Sequence, residues 1–139
     1  MDYNKLKDFR NTSKGFTGQL GLRFVEISDG YARAELPIDP ALHNNPIGSV
    51  HGGVIFSIAD SVGGAAAYTK GSYVTTVTGD INYLTAAIGT KTLIAEATEV
   101  KAGKNILVYD VNVFNETGTK IAATRMTYYS LHKSIEPDL

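Results

Sequence analysis

The stretch His51-Gly52-Gly53-Val54-Ile55-Phe56-Ser57-Ile58-Ala59-Asp60, running on through Ser61-Val62-Gly63-Gly64-Ala65-Ala66-Ala67-Tyr68, decides how the chain folds. Its apolar content is continuous, it is too long for an ordinary strand, and its second half is rich in alanine, so it predicts a helix from Gly53 to about Lys70. Apolar residues occupy nearly every face. Such a helix is buried on most sides, and the small residues from Gly63 to Ala67 let a neighbouring backbone approach closely. One carboxylate interrupts it. An unpaired ionised carboxylate in a dry site is costly, so either Asp60 has a polar neighbourhood or its awkward position is itself the function.

On the N-terminal side of this helix, Tyr3, Leu6 and Phe9 give residues Asp2 to Phe9 the spacing of a short amphipathic helix, broken by the small polar residues of Asn11 to Gly18. Leu22, Phe24 and Ile27 point to a strand. Asp29-Gly30 is a hairpin signal, Tyr31, Ala32, Ala34 and Leu36 make the return, and Pro37 and Pro40 end it. His43 to Ser49 has the composition of a loop. On the C-terminal side, Val74–Leu84, Lys91–Lys101, Asn105–Phe114 and Lys120–Leu131 read as strands, separated by turns at Ala87-Ile88-Gly89, Ala102-Gly103-Lys104 and Asn115 to Gly118. The turns joining the last three are too short for parallel crossovers, so these strands form an antiparallel meander. The expected architecture is α+β: one long central helix against a single curved antiparallel sheet. Pairing two such sheets edge to edge in a dimer would protect the exposed edge.

Composition bounds what such a domain can do. The chain of 139 residues, 43% hydrophobic, suits one domain over 1–139, with 1–17 as a short N-terminal helix or arm. A net charge of -1 without a lysine or arginine block argues against nucleic acid as a partner. The absence of cysteine removes disulfides, thiolate nucleophiles and cysteine metal sites. Only His43, His51 and His132 could bind zinc, in no ligand spacing, so neither metal nor organic cofactor is expected. The charged start lacks the apolar core of a signal peptide, and Ser57, Asp60 and Ser61 interrupt the best membrane-span candidate, which points to a cytoplasmic protein with no membrane partner.

The chemistry concentrates at the helix. Gly52 and Gly53 present unobstructed backbone N–H groups at the positive end of the dipole, the properties of an oxyanion site, although a glycine pair also serves simply to begin a helix. At a rise of ~1.5 Å per residue, Asp60 stands about 12 Å along the axis from Gly52, too far for both to act on one carbon. If both are catalytic, one must come from a second, antiparallel copy of the helix. The other reading of Asp60 is a carboxylate held by nearby serine or threonine groups.

Asn45-Pro46-Ile47-Gly48-Ser49-Val50-His51-Gly52-Gly53, the Ile58-Ala59-Asp60 that follows, and Thr76-Val77-Thr78-Gly79-Asp80-Ile81-Asn82-Tyr83-Leu84 resemble the signature of hotdog-fold acyl-CoA thioesterases of the phenylacetate-degradation type, with matching strand order from about Gly18 to Leu131. The resemblance implies a helix wrapped by the sheet, a double-hotdog homodimer with two interfacial sites, and pairing of such dimers into a tetramer. It implies hydrolysis of a small or medium, in some members aromatic, acyl-CoA. Gly52 then matches the backbone donor to the thioester oxygen, and Asp60 the carboxylate of the opposite subunit, as general base or nucleophile. Thr76 matches a residue placing the water or carboxylate, Asn45 a polar residue near the thioester, and His51 a histidine supporting the loop or bonding near the carbonyl. Thr75 and Thr78 compete with Thr76, since a slip of one residue turns the other strand face inward. Gly53 belongs to the substrate-binding backbone, and Lys101, Gly103 and Lys104 match the turn where related enzymes dock CoA phosphates. That turn holds two lysines and no arginine here, and Ala86 stands where proline is common. A non-enzymatic acyl-CoA sensor and a thioesterase acting on acyl carrier protein share much of this pattern.

Overall fold

The computed structural model describes all residues from Met1 to Leu139. Helices α1 (Tyr3–Asn11) and α2 (Phe16–Leu20) lead into the hairpin β1 (Arg23–Ser28) and β2 (Tyr31–Pro37). A four-residue helix α3 (Pro40–His43) and a loop precede α4 (Gly52–Tyr68), and β3 (Ser72–Tyr83), β4 (Thr92–Ala102), β5 (Ile106–Asn115) and β6 (Lys120–Ser134) complete one antiparallel sheet in the order β1-β2-β4-β5-β6-β3. This is the α+β arrangement expected, with the central helix starting at Gly52 and ending at Tyr68. Two short helices were not legible: α2 lies partly in the segment expected to be a break, and α3 runs from the second of the prolines expected to end the return strand up to the loop, sharing only His43 with it. In α3 the Asp39 carboxylate caps Ala41 N at 3.1 Å, and Pro40 takes a first-turn position that needs no donor.

Helix α4 is held at both ends. His51 is its N-cap, its Nδ1 accepting from Gly53 N at 2.8 Å. At the other end Thr69 Oγ1 donates to Ala66 O (2.6 Å) and accepts from Gly30 N (2.9 Å), tying the helix to the tight turn of the β1–β2 hairpin. Lys70 reaches both Asp29 and Glu99 at 2.7 Å. Between the ends, Ile55, Ile58, Ala59, Val62, Ala65, Ala66 and Ala67 sink into the curve of the sheet, against residues such as Leu36, Leu93, Val111 and Met126.

The burial of α4 is nonetheless not complete. Gly53, Phe56, Ser57, Asp60, Gly64 and Tyr68 are half-buried or exposed, at intervals of three or four residues, and so form a single stripe. The sheet covers the rest of the helix and leaves that stripe uncovered, with Asp60 at its centre. Leu6 of α1 is fully buried, which attaches the N-terminal helix to the same core.

The glycine pair of α4 has two different jobs. A Cβ on Gly63 would collide with Tyr128 Oη and meet Val111 Cγ2 at 3.1 Å, and Tyr128 Oη cannot yield because it donates to Asp60 O at 2.7 Å. A Cβ on Gly64 would meet only Tyr128 Cε1, at 3.8 Å, an ordinary contact. Gly63→Ala is therefore expected to destabilise the fold by about 1–3 kcal/mol through overpacking. Gly64→Ala should leave stability unchanged or raise it by up to ~1 kcal/mol through helix propensity. Denaturant unfolding of the two variants checks the contrast in sign.

Candidate active site

Two of the cavities along α4 hold the candidate groups. The first, about 540 Å³, surrounds the helix start and is lined by Ser49, His51, Gly52, Gly53, Tyr83 and Ala86 among others. Helix geometry leaves the first N–H groups without internal acceptors. His51 takes the Gly53 N–H, while the Gly52 N–H meets no backbone or side-chain acceptor and remains an open donor at the positive end of the dipole. Tyr83 Oη donates to Gly52 O at 2.8 Å, which fixes the orientation of that peptide.

The second cavity, about 400 Å³, lies along the uncovered stripe and holds Asp60, with Ser57, Gly64, Phe56, Val74 and Thr76 in its walls. Thr76 Oγ1 donates to Asp60 Oδ1 at 2.7 Å, and Oδ2 receives no protein hydrogen bond. One carboxylate oxygen is thus clamped and the other is open to the cavity. Strand alternation turns Thr75 away from Thr76, and the β3–β6 pairing shifts register between Thr76 and Thr78, which separates that second pair. Thr76 is the one that meets the carboxylate.

The remaining residues singled out in the sequence divide by location. Asn45 is occupied within its own loop: Oδ1 accepts from Ile47 N and Ser49 N, both at 3.1 Å, and Nδ2 donates to Ser49 Oγ at 2.8 Å. It shapes the approach to Gly52 and does not line the helix-start cavity. Gly103 and Lys104 sit at the far end of α4, in a third cavity of about 220 Å³ with Lys70, Ser72, Ser130 and His132. Lys101 is exposed beside that turn and does not line it. Within one chain, then, Asp60 and Thr76 come together, Gly52, Gly53 and His51 come together, and the lysine turn joins neither group.

Three groups escaped the sequence reading. Tyr128 anchors the Asp60 backbone, and burial pushes its hydroxyl pKa well up, so it stays a neutral donor. Tyr83 stands in the sequence only as part of the Thr76–Leu84 segment, with no role of its own. Arg10, from α1, lines the Asp60 cavity and donates through Nη2 to Ser61 Oγ at 2.7 Å. A signal for Arg10 did exist: it follows Leu6 by four residues, which places it on the inward face of α1. No group of histidine, cysteine or acidic side chains is arranged to hold a metal, and no helix is long and apolar enough to cross a membrane.

Comparison with known proteins agrees with this fold. The profile of the thioesterase superfamily matches residues 47–122, which include the helix start, Asp60 and Thr76. An Archaeoglobus fulgidus protein, named only as a candidate esterase, is 30% identical over 133 residues, spanning 96% of this chain and 86% of that one. The acyl-coenzyme A thioesterase PaaI of Escherichia coli K12 is 27% identical over 106 residues, 76% of this chain and 75% of the relative. In structure, E. coli PaaI superimposes with a TM-score of 0.89 at 22% identity over 95% of each chain, a likeness of fold. A Streptococcus mutans protein solved with acetyl-CoA bound superimposes with a TM-score of 0.76 at 26% identity, over 81% of this chain and 90% of that one. The chain belongs to the thioesterase superfamily and is a thioester hydrolase of the hotdog fold.

Proposed function

We propose that the protein hydrolyses a small or medium acyl-CoA to the free acid and CoA at two sites shared between the subunits of a homodimer. The observation that carries the reading is the division of labour along α4: an open N–H at its start and a half-clamped carboxylate about 12 Å further on, in separate cavities. Neither cavity alone holds both the helix-start N–H and a carboxylate, and His51 beside Gly52 spends its Nδ1 lone pair on Gly53 N. An antiparallel copy of the helix, laid along the uncovered stripe, supplies each with what it lacks. Strand β3 favours such pairing, because it is a 12-residue edge strand that leaves Val77 and Tyr83 more than half exposed. The acetyl-CoA bound by the S. mutans relative and the thioesterase activity named for E. coli PaaI support CoA as the carrier.

In this mechanism the thioester oxygen lies against Gly52 N–H, which stabilises the negative charge that develops on it. Asp60 of the facing subunit, held by Thr76 through Oδ1, uses Oδ2 to take a proton from water as the water oxygen bonds to the carbonyl carbon. Collapse of the tetrahedral intermediate breaks the C–S bond and releases CoA thiolate, which takes up a proton. The same free oxygen could instead attack the carbonyl directly and form an anhydride that water then opens. Single turnover in ¹⁸O-water tests for the second route: label in the Asp60 carboxylate shows an anhydride that water opens at the Asp60 carbonyl, whereas the first route places the label in the acid product alone.

A panel of aromatic, short and medium acyl-CoAs, followed by thiol release, is expected to find at least one substrate, and silence across the panel would favour an acyl-CoA sensor. Asp60→Asn should lower kcat by about 10²–10⁴-fold without changing the oligomeric state, and near-normal turnover would remove Asp60 from the mechanism. Thr76→Val should cost about tenfold, because the carboxylate remains but is no longer oriented.

Sharing of the sites has its own test. Gly52→Pro deletes the proposed donor at a first-turn position whose backbone admits proline; its Cβ meets Tyr83 Oη at 3.1 Å, so Tyr83 must give slightly and the variant's fold and oligomeric state are checked alongside. Mixed one to one with Asp60→Asn under confirmed subunit exchange, it should restore about a quarter of wild-type activity, since half the dimers are mixed and each carries one intact site. No rescue would count against shared sites.

A further inference from the structure

Arg10 is poorly satisfied where it sits. Its guanidinium lies over the Phe24 ring at 5.2 Å and the Tyr68 ring at 5.4 Å, and Nη2 bonds Ser61 Oγ at 2.7 Å with a longer contact to Ser61 O at 3.5 Å. Nε is buried without a partner, and Arg10 appears in none of the ion pairs of the protein. Burial lowers the guanidinium pKa from its usual value, the cost of holding a cation out of water, although arginine remains charged. A residue that served only to dock α1 would cost less as an apolar side chain.

What could satisfy the charge follows from where it points. Ser61 lines the Asp60 cavity, so the Nη edge bonded to Ser61 stands at the wall of that same cavity. Nε is sealed off from any ligand, which leaves the terminal edge with its two nitrogens as the contact surface. That edge matches a carboxylate in two-pronged geometry. Phe24 and Tyr68, packed on its faces, restrict its reorientation. Asp60 offsets part of the charge from across the cavity but forms no direct ion pair with Arg10, and burial still outweighs it.

The geometry points to Arg10 as a specificity-determining residue that binds a carboxylate at the far end of the acyl group, so that the preferred substrate is the monothioester of a short dicarboxylic acid. This rests on the reading of the Asp60 cavity as the acyl pocket. The walls of that cavity mix Phe16, Phe56 and Val74 with Thr17, Ser57 and Ser61, so it offers polar as well as apolar contacts to an acyl chain. A neutral acyl chain of the same length would leave the cation without a directly paired counter-ion. In the absence of Arg10, a second carboxylate would share the cavity with Asp60 alone and be repelled.

The test compares glutaryl-CoA with hexanoyl-CoA and adipyl-CoA with heptanoyl-CoA, pairs matched in chain length, in wild type and in Arg10→Gln, which removes the charge and keeps a donor near Ser61. Wild type is expected to favour the carboxylate-ended member of each pair by about tenfold or more in kcat/KM, and the variant to bring the ratio to one or below. A wild-type ratio of one or less, or a ratio that the variant does not move, overturns the assignment while leaving acyl-CoA hydrolysis standing. Preference for 6-hydroxyhexanoyl-CoA over adipyl-CoA would also overturn it, since the charge would then not be what Arg10 reads. If no acyl-CoA is turned over, or the variant does not fold, titration calorimetry of wild type with free glutarate and hexanoate decides: glutarate should bind about tenfold more tightly, and equal or undetectable binding of both overturns the proposal.

Discussion

Helix α4 has almost no polar face to give to water, and this constraint organises the rest of the protein. A flat sheet covers one side of a helix; covering most of its circumference requires the sheet to curve around it. The sheet can curve closely here because the helix is narrow where it is wrapped: Ala65, Ala66 and Ala67 are fully buried, and Gly63 leaves room only for the Tyr128 hydroxyl. The same closeness gives Tyr128 its reach to the Asp60 carbonyl. A sheet of six strands still cannot close around a helix, and the stripe it fails to cover runs through Ser57, Asp60 and Gly64. The half-clamped carboxylate is thus found where the wrapping ends, which is also where a ligand can enter.

Bulges place the side chains along this uncovered stripe. In β3 the register shifts between Thr76 and Thr78, and in β1 it shifts between Phe24 and Glu26. The first delivers Thr76 to Asp60. The second lets Phe24 and Ile27, three residues apart, both face the core, and it sets Phe24 beneath Arg10.

How much of this the sequence carries depends on the range of the interaction. The hairpin at Asp29-Gly30, the four later strands and the central helix are all encoded in local pattern and turn chemistry, and each lies within a few residues of its expected bounds. The Asp60 problem was legible too, because a charge in an apolar helix is conspicuous. Thr76 could be narrowed only to three neighbours, since periodicity does not reveal a bulge. Asn45 looked like a polar residue aimed at a ligand, whereas the loop consumes all three of its recorded side-chain bonds. Arg10 was passed over because its partners Phe24, Ser61 and Tyr68 come from distant parts of the chain, and no local pattern ties them to α1.

Asp60 and Ser61 show how a single turn of helix links these long-range partners. Adjacent residues on an α-helix project about 100° apart, so two polar side chains in sequence cannot answer to the same neighbour. Asp60 turns to Thr76 on the edge strand, and Ser61 turns to Arg10 on the N-terminal helix. Ser61 is buried, so its hydroxyl needs a partner as much as the guanidinium does. The pair fixes α1 to the one turn of α4 that carries the reactive carboxylate. A substitution that loosens α1 would therefore be felt both at the cavity wall, through the Arg10–Ser61 bond, and in β1, where Asn11 of the same helix makes two hydrogen bonds with the Phe24 backbone.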